Sequence, residues 1–551
     1  MTPLLRSLVL AALMVAALAA MYAEGVGRGL DLDTAVPERF RYYGIPIALT
    51  ADRYGLSGYV AYEEIAARFF NDKPIDVIVS QDLPLELDKE VIEDGRRGVG
   101  LFFVPADDKG NVTFSRLAFR LFGAQAQSLY RTYFVLLLLS IGAFIAAFWR
   151  QPARLWAGVC VMLASAALVA AYRPGLLLPY VSTLYDPRSY GVIAILAMLH
   201  LGFTCIDGRW SPGRLFGVIY QAVMIVFAVH MRFENVMLAA SLVAWLAAHA
   251  LWHRRAWTLG AVPRHTWALI VLALVFAGSF ELERRLYHPR YFTTHMAHHL
   301  VWHNVGIGLV LHPELAKSFK YQGPSARRVD DGTMMVTVTA ALLSEGKRDT
   351  VEQIFGAAYS NPTGDEAGIA IDVGKFFHSS GSDLARYDAE VKRFVLAQVR
   401  NHPRYTAELY LRYKPRYILA HYLWFIGLAT SSPALDAGGH QSPLFGNGEG
   451  AGPAAAPQVP WLVLGLLGLG LALAPMAAPI QWASALIAGV ALLAFGLAPM
   501  FVTYAAPFLM ATPLAALFLL LFLGLAMLAS TRLAGGSKVS GGIGPIGEHQ
   551  L

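Results

Sequence analysis

Long stretches of this chain carry almost no charge, while two blocks of it carry most of the charge present. Acidic and basic residues concentrate in residues 24–129 and 282–417, and neither lysine nor arginine occurs between Arg416 and Arg532. A bilayer-spanning helix needs about 20 mostly apolar residues, and charged side chains are costly in hydrocarbon. The chain is therefore predicted to be an α-helical polytopic membrane protein with two hydrophilic regions.

Composition supports this class and excludes others. Charged residues make up 15% of the chain, against about 25% in an ordinary soluble domain. The net charge of +6 does not indicate a nucleic-acid partner, because most basic residues flank apolar segments, as the positive-inside rule describes. Cys160 and Cys205 lie in or beside apolar segments, so they provide neither a disulfide framework nor a thiolate metal site.

The apolar segments predict about 10–11 transmembrane helices. An uncleaved signal-anchor is favoured over a cleaved signal peptide because many spans follow. Arg6 precedes the first span and holds the N-terminus in the cytoplasm. The predicted units are residues 1–23 as the first transmembrane helix, 24–131 as an outer loop with juxtamembrane helices, 132–281 as a six-helix transmembrane block, 282–417 as a second outer region, 418–530 as a C-terminal transmembrane block with a flexible loop at 432–458, and 531–551 as a tail.

Basic connections between the spans predict the orientation. Three of them fall on the same predicted cytoplasmic side; they contain Arg150 and Arg154, then Arg209 and Arg214, then His253, Arg254, Arg255 and Arg264. Both hydrophilic regions should then lie together on the outer side and form one composite site. Eleven spans would place the C-terminus outside, whereas Arg532 and Lys538 favour the inside.

Local patterns predict a mixed α/β first region and a mainly α second region. In the first region we expect helices over 62–70 and 113–123 and a short strand over 76–79. In the second region, 334–343 and 383–399 are predicted to be amphipathic helices. The last apolar run, 502–530, is expected to bend or break at Pro513.

One segment resembles a known family. Residues 107–140, DDKGNVTFSRLAFRLFGAQAQSLYRTYFVLLLLS, resemble the end of the first outer loop in the C superfamily of glycosyltransferases (the GT-C fold). These enzymes use polyprenyl-phosphate-linked sugars, and many carry a second large outer loop between the seventh and eighth spans. The resemblance implies a glycosyltransferase of the bacterial inner membrane. Residues 294–309, a segment of the second outer region, look like part of uncharacterised bacterial membrane proteins. This likeness implies no activity.

Two pairs of aspartates are candidate catalytic groups. Sugar transfer from a phosphate donor needs a carboxylate to accept the acceptor's proton, or to hold a metal on the leaving phosphate. Asp107 and Asp108 could do either, although a solvated turn would also explain them. In the superfamily the acidic motif usually follows the first span. Asp31 and Asp33 hold that position here, without the neighbouring acidic pair.

A histidine cluster is the candidate substrate- or phosphate-binding group; it comprises His295, His298, His299 and His303. On a helix, the first, third and fourth of these would share a face, and imidazoles at this spacing can also ligate a transition metal. Di-iron desaturases use similar boxes, but the second box here, at 249–253, is predicted on the opposite side of the membrane. A metal site therefore stays unknown, with a divalent ion as the candidate cofactor.

A basic and aromatic stretch over residues 402–422 is a second candidate binding site. Its cations are Arg404, Arg412, Lys414 and Arg416, and tyrosines separate them. Guanidinium groups bind phosphate in a bidentate way, which predicts a pocket for a polyprenyl-phosphate headgroup. Ordinary anchoring at the membrane interface is the alternative.

These residues lead to one principal hypothesis for function. The chain would transfer a sugar from a polyprenyl-phosphate donor to a glycan, lipid or protein acceptor on the outer face of the inner membrane, surrounded by membrane lipid and without nucleic acid. Two alternatives remain open: a non-catalytic component of surface-polysaccharide assembly or export in the cell envelope, and a His-ligated membrane oxidoreductase.

Overall fold

The structure is a computed structural model that describes residues 3–27, 40–56, 58–70, 73–104, 109–171, 190–252, 262–286, 288, 298–320, 331–364, 368–378, 382–425, 479–503 and 511–536. Helices dominate these residues. In chain order they are α1 (Pro3–Gly27), α2 (Ile45–Arg53), α3 (Glu63–Arg68), α4 (Ile75–Val77), α5 (Lys89–Arg97), α6 (Lys109–Phe122), α7 (Ala126–Phe148), α8 (Pro152–Ala171), α9 (Tyr190–Asp207), α10 (Pro212–Met231), α11 (Met237–Trp252), α12 (Val262–Leu286), α13 (Val301–Leu309), α14 (Pro313–Ala316), α15 (Asp331–Ser344), α16 (Arg348–Phe355), α17 (Val373–His378), α18 (Leu384–Asn401), α19 (Pro403–Glu408), α20 (Lys414–Phe425), α21 (Pro479–Val502) and α22 (Ala511–Gly536).

The prediction of a polytopic helical membrane protein is confirmed. Six of the described helices are long and apolar enough to cross a bilayer: Leu4–Ala23, Ala126–Phe148, Pro212–Met231, Phe233–Leu251, His265–Leu286 and Ser484–Val502. Three shorter apolar helices accompany them: Pro152–Ala166, Gly191–Asp207 and Ala515–Leu525. The second span begins at Ala126, earlier than the predicted 132. Gly123, in a left-handed conformation (φ +86°), follows the last residue of α6 and separates it from α7.

Charged groups mark one end of the helical bundle. Arg154, at the start of α8, pairs with Asp207 at the end of α9. Arg214, in the first turn of α10, lies 3.4 Å from the same carboxylate. His265, at the start of α12, bonds to the Cys205 carbonyl oxygen at 2.7 Å. The described ends of α8, α9, α10 and α12 therefore lie together, and we call this the Arg154 end of the bundle. Residues 253–261 of the third basic connection lie outside the described residues.

The opposite end of the bundle carries the hydrophilic regions. There the Tyr130 hydroxyl, near the start of α7, donates to the carbonyl oxygen of Tyr22 near the end of α1, at 2.7 Å. Helices α1 and α7 therefore run antiparallel, as the predicted topology requires.

The run 502–530 was expected to bend or break at Pro513. This proline lies in the first turn of α22, where its missing N–H costs nothing. Residues 504–510, just before α22, lie outside the described residues, so the expectation stays a prediction. Helix α22 is antiparallel to α21, since Gly496 packs on Pro513 and Gly489 on Leu520. Helix α22 thus runs from the hydrophilic end towards the Arg154 end of the bundle.

The first hydrophilic region is mixed α/β, as predicted. Strands β1 (Val60–Tyr62) and β2 (Leu101–Phe103) pair antiparallel, and α2 packs on α6 beneath them. Arg116 and Arg120 of α6 both lie 2.9 Å from Asp52, which ties the two helices together.

The expected strand over 76–79 is wrong. Those residues continue α4 into a π-helical turn, Ile78–Asp82. Pro74 precedes the helix and Ile75 and Ile78 are buried on one side of it, a spacing of three that suits a helix rather than a strand.

The second hydrophilic region is mainly α, as predicted, with one small pair of strands, β3 (Tyr359–Ser360) and β4 (Ala370–Ile371). Helix α15 was expected to be amphipathic, but every residue from 332 to 340 is buried. It forms the centre of this region because α13 and α18 both pack on it. Helix α18 is amphipathic, and its N-terminus is capped by Asp383, whose Oδ1 accepts the Arg386 N–H at 2.9 Å.

Labelling tests the orientation. Ser80 and Ser344 are exposed on the two hydrophilic regions, and Trp210 is exposed at the Arg154 end. We expect Ser80→Cys and Ser344→Cys to react with an impermeant maleimide from one face of the membrane, and Trp210→Cys from the other. Cys160 and Cys205 are buried and should stay unreactive. If the two serine variants reacted from opposite faces, the prediction that both hydrophilic regions lie on the same side of the membrane would be contradicted.

Candidate functional site: the junction of the two hydrophilic regions

A buried carboxylate marks the place where the two hydrophilic regions meet the bundle. Glu283 lies in the last turn of α12, with its side chain 6% exposed. Lys109 Nζ, at the start of α6, is 2.9 Å from Glu283 Oε2. His230 Nδ1, at the end of α10, is 3.3 Å from Oε1. Both partners are themselves largely buried, so this cluster, the Glu283 junction, fixes three helix ends to one another.

A serine orients the histidine of the junction. Ser279, one turn before Glu283, donates its hydroxyl proton to the Phe276 carbonyl oxygen at 2.7 Å. Its oxygen is then an acceptor for His230 Nε2, which lies 2.9 Å away. The imidazole is held at both nitrogens, and its ring packs on Phe280 at 4.7 Å between centroids.

Close backbone contact brings α6 to the junction. A Cβ at Gly110 would lie 2.4 Å from the Met231 nitrogen and 2.5 Å from the His230 carbonyl carbon. Only glycine allows the first turn of α6 to lie directly on the end of α10. The sequence Lys109-Gly110 is therefore explained: glycine gives the approach, and lysine reaches across to Glu283.

A strained turn covers the same carboxylate. Tyr59 has φ +60°, a left-handed conformation that is costly for a residue with a Cβ. Burial, with the charge of Glu283 as the next cause, raises the pKa of Tyr59 to about 12, so the phenol stays protonated. The Gly58 carbonyl oxygen accepts the His288 N–H at 3.1 Å, which joins this turn to the start of the second region.

The two hydrophilic regions also contact each other away from the membrane. His378 Nδ1, at the end of α17, donates to the Phe103 carbonyl oxygen of β2 at 2.9 Å. Its ring stacks on Phe102 at 4.3 Å and lies 5.0 Å from Tyr43. The regions therefore form one continuous body over the hydrophilic end of the bundle, as a composite site requires.

Five of the predicted site residues lie outside the described residues: Asp31, Asp33, Asp107, Asp108 and His295. Their assigned roles stay predictions. The first described residue after the acidic pair is Lys109, which belongs to the Glu283 junction.

The expected histidine helix is wrong for the described residues. Helix α13 begins only at Val301, so His299 and His303 do not share a helix face. The side chains of the three described histidines contact different residues instead. His298 Nε2 lies 3.4 Å from Asp388 Oδ2, and the His299 ring packs on Phe233 at 4.9 Å. A ligand set built from neighbouring imidazoles does not form among these three.

His303 lies within a buried hydrogen-bond chain. Its Nδ1 is 2.7 Å from the Tyr387 hydroxyl and its Nε2 is 2.9 Å from Asp331 Oδ1. Its backbone N–H donates to Asp388 Oδ1 at 3.0 Å. Burial, reinforced by the two aspartates, raises the pKa of Tyr387 well above its usual value, so its hydroxyl donates to Nδ1. Asp331 anchors this chain at the first turn of α15.

The basic and aromatic stretch does not present all its cations on one surface. Arg404, Arg412 and Arg416 are exposed. Lys414 is fully buried, and its Nζ donates to the carbonyl oxygens of Phe501 at 2.6 Å and Thr503 at 2.5 Å, at the end of α21. Burial lowers the pKa of Lys414 to about 7. The lysine thus caps α21, and the three arginines remain as the surface cations.

Sequence reasoning missed a second histidine site. His312 Nδ1 accepts the Glu314 N–H at 3.2 Å, so its Nε2 carries the proton and faces Glu408 Oε2 at 3.4 Å. Arg404 Nε pairs with the same carboxylate at 3.0 Å, and the imidazole stacks on Tyr405. The His-Pro-Glu sequence at 312–314, a helix N-terminus capped by histidine, was the available signal.

The junction itself was also missed. Glu283, His230 and Lys109 were not assigned roles, although each is an ionisable residue at the end of an apolar or amphipathic helix. Such residues at membrane depth are expected to have partners. Among the described residues, no three His, Cys, Asp or Glu side chains come together in a group that could hold a metal ion.

Comparisons with known proteins give one weak likeness. No family model matches the chain, and no curated protein matches it. Among solved structures, the chain is similar to ArnT from Cupriavidus metallidurans, a crystal structure bound to undecaprenyl phosphate. The likeness covers 96% of this chain and 78% of that chain, with 13% sequence identity and a TM-score of 0.29. No functional residue or role is assigned to this chain from that likeness. The proposed chemistry is argued only from the contacts within this chain.

A glycine substitution tests the junction. Gly110→Ala places a Cβ against the backbone of α10, and overpacking of this kind costs roughly 1–3 kcal/mol. We expect a lower thermal unfolding midpoint for the purified protein. Gly524→Ala is the matched control, because its Cβ would meet no atom within 4 Å, and alanine favours the helix. Equal stability of both variants would contradict the close approach of α6 and α10.

Proposed function

We propose that this chain is an integral membrane glycosyltransferase that moves a sugar from a polyprenyl-phosphate donor to a glycan, lipid or protein acceptor at the outer face. One observation carries the proposal. The two hydrophilic regions pack on each other, and they are anchored to the bundle at the Glu283 junction. Lys109 of this junction directly follows the acidic pair Asp107-Asp108 in sequence. A lipid-linked sugar presents its phosphate at this boundary between hydrocarbon and water.

The reaction needs one proton acceptor and one site for the leaving phosphate. Asp107 or Asp108 would take the proton from an acceptor hydroxyl. The acceptor oxygen would then form a bond to the anomeric carbon, while the bond from that carbon to the phosphate oxygen breaks. Polyprenyl phosphate leaves with the electron pair. Asp31 or Asp33 is the alternative base, because that pair follows the first span.

Three arginines support the phosphate site. Arg404, Arg412 and Arg416 are exposed along the segment from α19 to the first turn of α20. The buried lysine among them, Lys414, ties this segment to the end of α21, at the hydrophilic end of the bundle. Exposed guanidinium groups fixed at membrane level suit the capture of a phosphate headgroup. Lys414 is left out of this role, because its ammonium already serves the carbonyls of α21.

The described histidines fit a supporting role. His298 is part-exposed and is oriented by Asp388, which also holds the His303 backbone. An imidazole in this setting could donate to a sugar hydroxyl or phosphate oxygen. His303 itself is 2% exposed, so it would position its neighbours rather than touch the substrate.

The proposal is tested by sugar transfer from a polyprenyl-phosphate donor in reconstituted vesicles. A general base contributes typically 10²–10⁴-fold to rate, and Asn keeps the shape of Asp without its charge. We expect Asp107→Asn or Asp108→Asn to lose activity by at least ~100-fold at unchanged protein abundance. Asp76→Asn, an exposed aspartate of the same region, should keep full activity.

The comparison variants decide the identity of the base. Loss of activity in Asp31→Asn or Asp33→Asn alone would move the base to that pair. Full activity in all four variants would remove the catalytic carboxylate from the proposal. Absence of any sugar transfer by the wild-type protein would favour the non-catalytic assembly component.

A further inference from the structure

A cavity opens between two helices at the Arg154 end of the bundle, remote from the Glu283 junction. Its volume is about 1020 Å³, and it lies between α7 and α10. Most of its wall is apolar or small, with Leu138, Gly142 and Ala146 on α7 and Phe216 and Gly217 on α10. It faces the hydrocarbon layer, because Phe216 is 78% exposed on a membrane-spanning helix.

Local contacts explain why the helices diverge here. In the middle of the bundle α7 and α10 are held together: the Tyr220 hydroxyl donates to the Leu136 carbonyl oxygen at 2.8 Å, and Gln221 bonds to Ser140. Beyond Tyr220 the facing residues are too small to fill the space. A Cβ at Gly142 would meet no atom within 4 Å. The result is a groove, closed at its deep end by Tyr220 and open towards the membrane surface.

The mouth of the groove is positively charged. Arg150, after α7, and Arg209, before α10, line it and are exposed; within the described part of the chain neither has a carboxylate partner. Arg214 also lines it, and shares Asp207 with Arg154.

The start of α10 adds to this charge. Ser211 caps the helix by accepting the Arg214 N–H at 3.3 Å, and Pro212 follows. The next backbone N–H, on Gly213, belongs to the first turn, where helices leave N–H groups without an intrahelical partner. Because Gly213 lines the groove, the positive end of a 20-residue helix lies at its mouth, where it favours negative charge.

We propose that this groove binds one anionic phospholipid of the leaflet opposite the hydrophilic regions. Its phosphate would lie between Arg150, Arg209 and the start of α10, and one acyl chain would fill the space between α7 and α10 down to Tyr220. Charge complementarity selects the occupant: exposed guanidinium groups and a helix N-terminus above an apolar slot match a lipid with net negative charge. This site is independent of the proposed glycosyl transfer.

The experiment is native mass spectrometry of the purified full-length chain titrated with phosphatidylglycerol, with phosphatidylcholine as the uncharged-headgroup comparison. The wild-type protein should retain one phosphatidylglycerol in preference to phosphatidylcholine. Arg150→Gln with Arg209→Gln should weaken phosphatidylglycerol binding about thirtyfold, since each juxtamembrane arginine contributes about a factor of five. Arg131→Gln, at the other end of α7, removes an exposed arginine from the opposite leaflet and should leave binding unchanged.

A second variant tests the groove independently of charge. Gly142→Leu places a side chain into the open space without a clash and should abolish retention of the lipid. Gly278→Leu makes the same change on α12 outside the groove, again with no atom within 4 Å of the new Cβ, and should retain it. Equal retention of both lipids, or undiminished retention in Gly142→Leu, would overturn the proposal. A dimer that Gly142→Leu dissociates would instead assign the groove to a second copy of the chain.

Discussion

The buried carboxylate of Glu283 is the constraint on which the arrangement of the hydrophilic regions depends. Removing a carboxylate from water costs several kcal/mol unless it is paired and hydrogen-bonded. Here the partners come from two other helices, Lys109 from α6 and His230 from α10. The cost of burial is therefore offset only when α6 lies across the end of α10. The glycine at 110 follows from that geometry, because only glycine lets the first turn of α6 lie against the backbone at the end of α10.

The junction connects membrane packing to the proposed chemistry. Helix α6 is held to the bundle at its first residue and to α2 through Asp52, so the segment that follows the acidic pair has a fixed place. At the same end of the bundle, Lys414 ties the arginine-bearing segment to α21. The base and the phosphate site must act on one lipid-linked substrate. Both would be positioned by these two buried cations, which do not themselves take part in the sugar transfer.

Much of this architecture could be predicted from the sequence, because charge and hydropathy directly reflect the membrane. Because lysine and arginine are excluded from apolar segments, the positions of the spans could be predicted. Basic residues in the connections, such as Arg154, predicted the direction in which successive spans cross the membrane. The contacts within the hydrophilic regions could not be predicted. The spacing of His299 and His303 suits a helix, but local spacing does not reveal that the helix begins at Val301. Likewise, Lys414 looks like its arginine neighbours until α21 places carbonyl groups beside it.

The account is tested most directly by a double-mutant cycle between Lys109 and Glu283. The free energy of unfolding of the detergent-solubilised protein would be measured for the wild type, Lys109→Met, Glu283→Gln and the pair. Each single change removes one member of this buried ion pair and should cost roughly 3 kcal/mol or more. The double variant should cost less than the sum of the two, with a coupling of at least about 1 kcal/mol. Additive effects would show that the two residues do not interact, and the junction would then not hold the first hydrophilic region on the bundle.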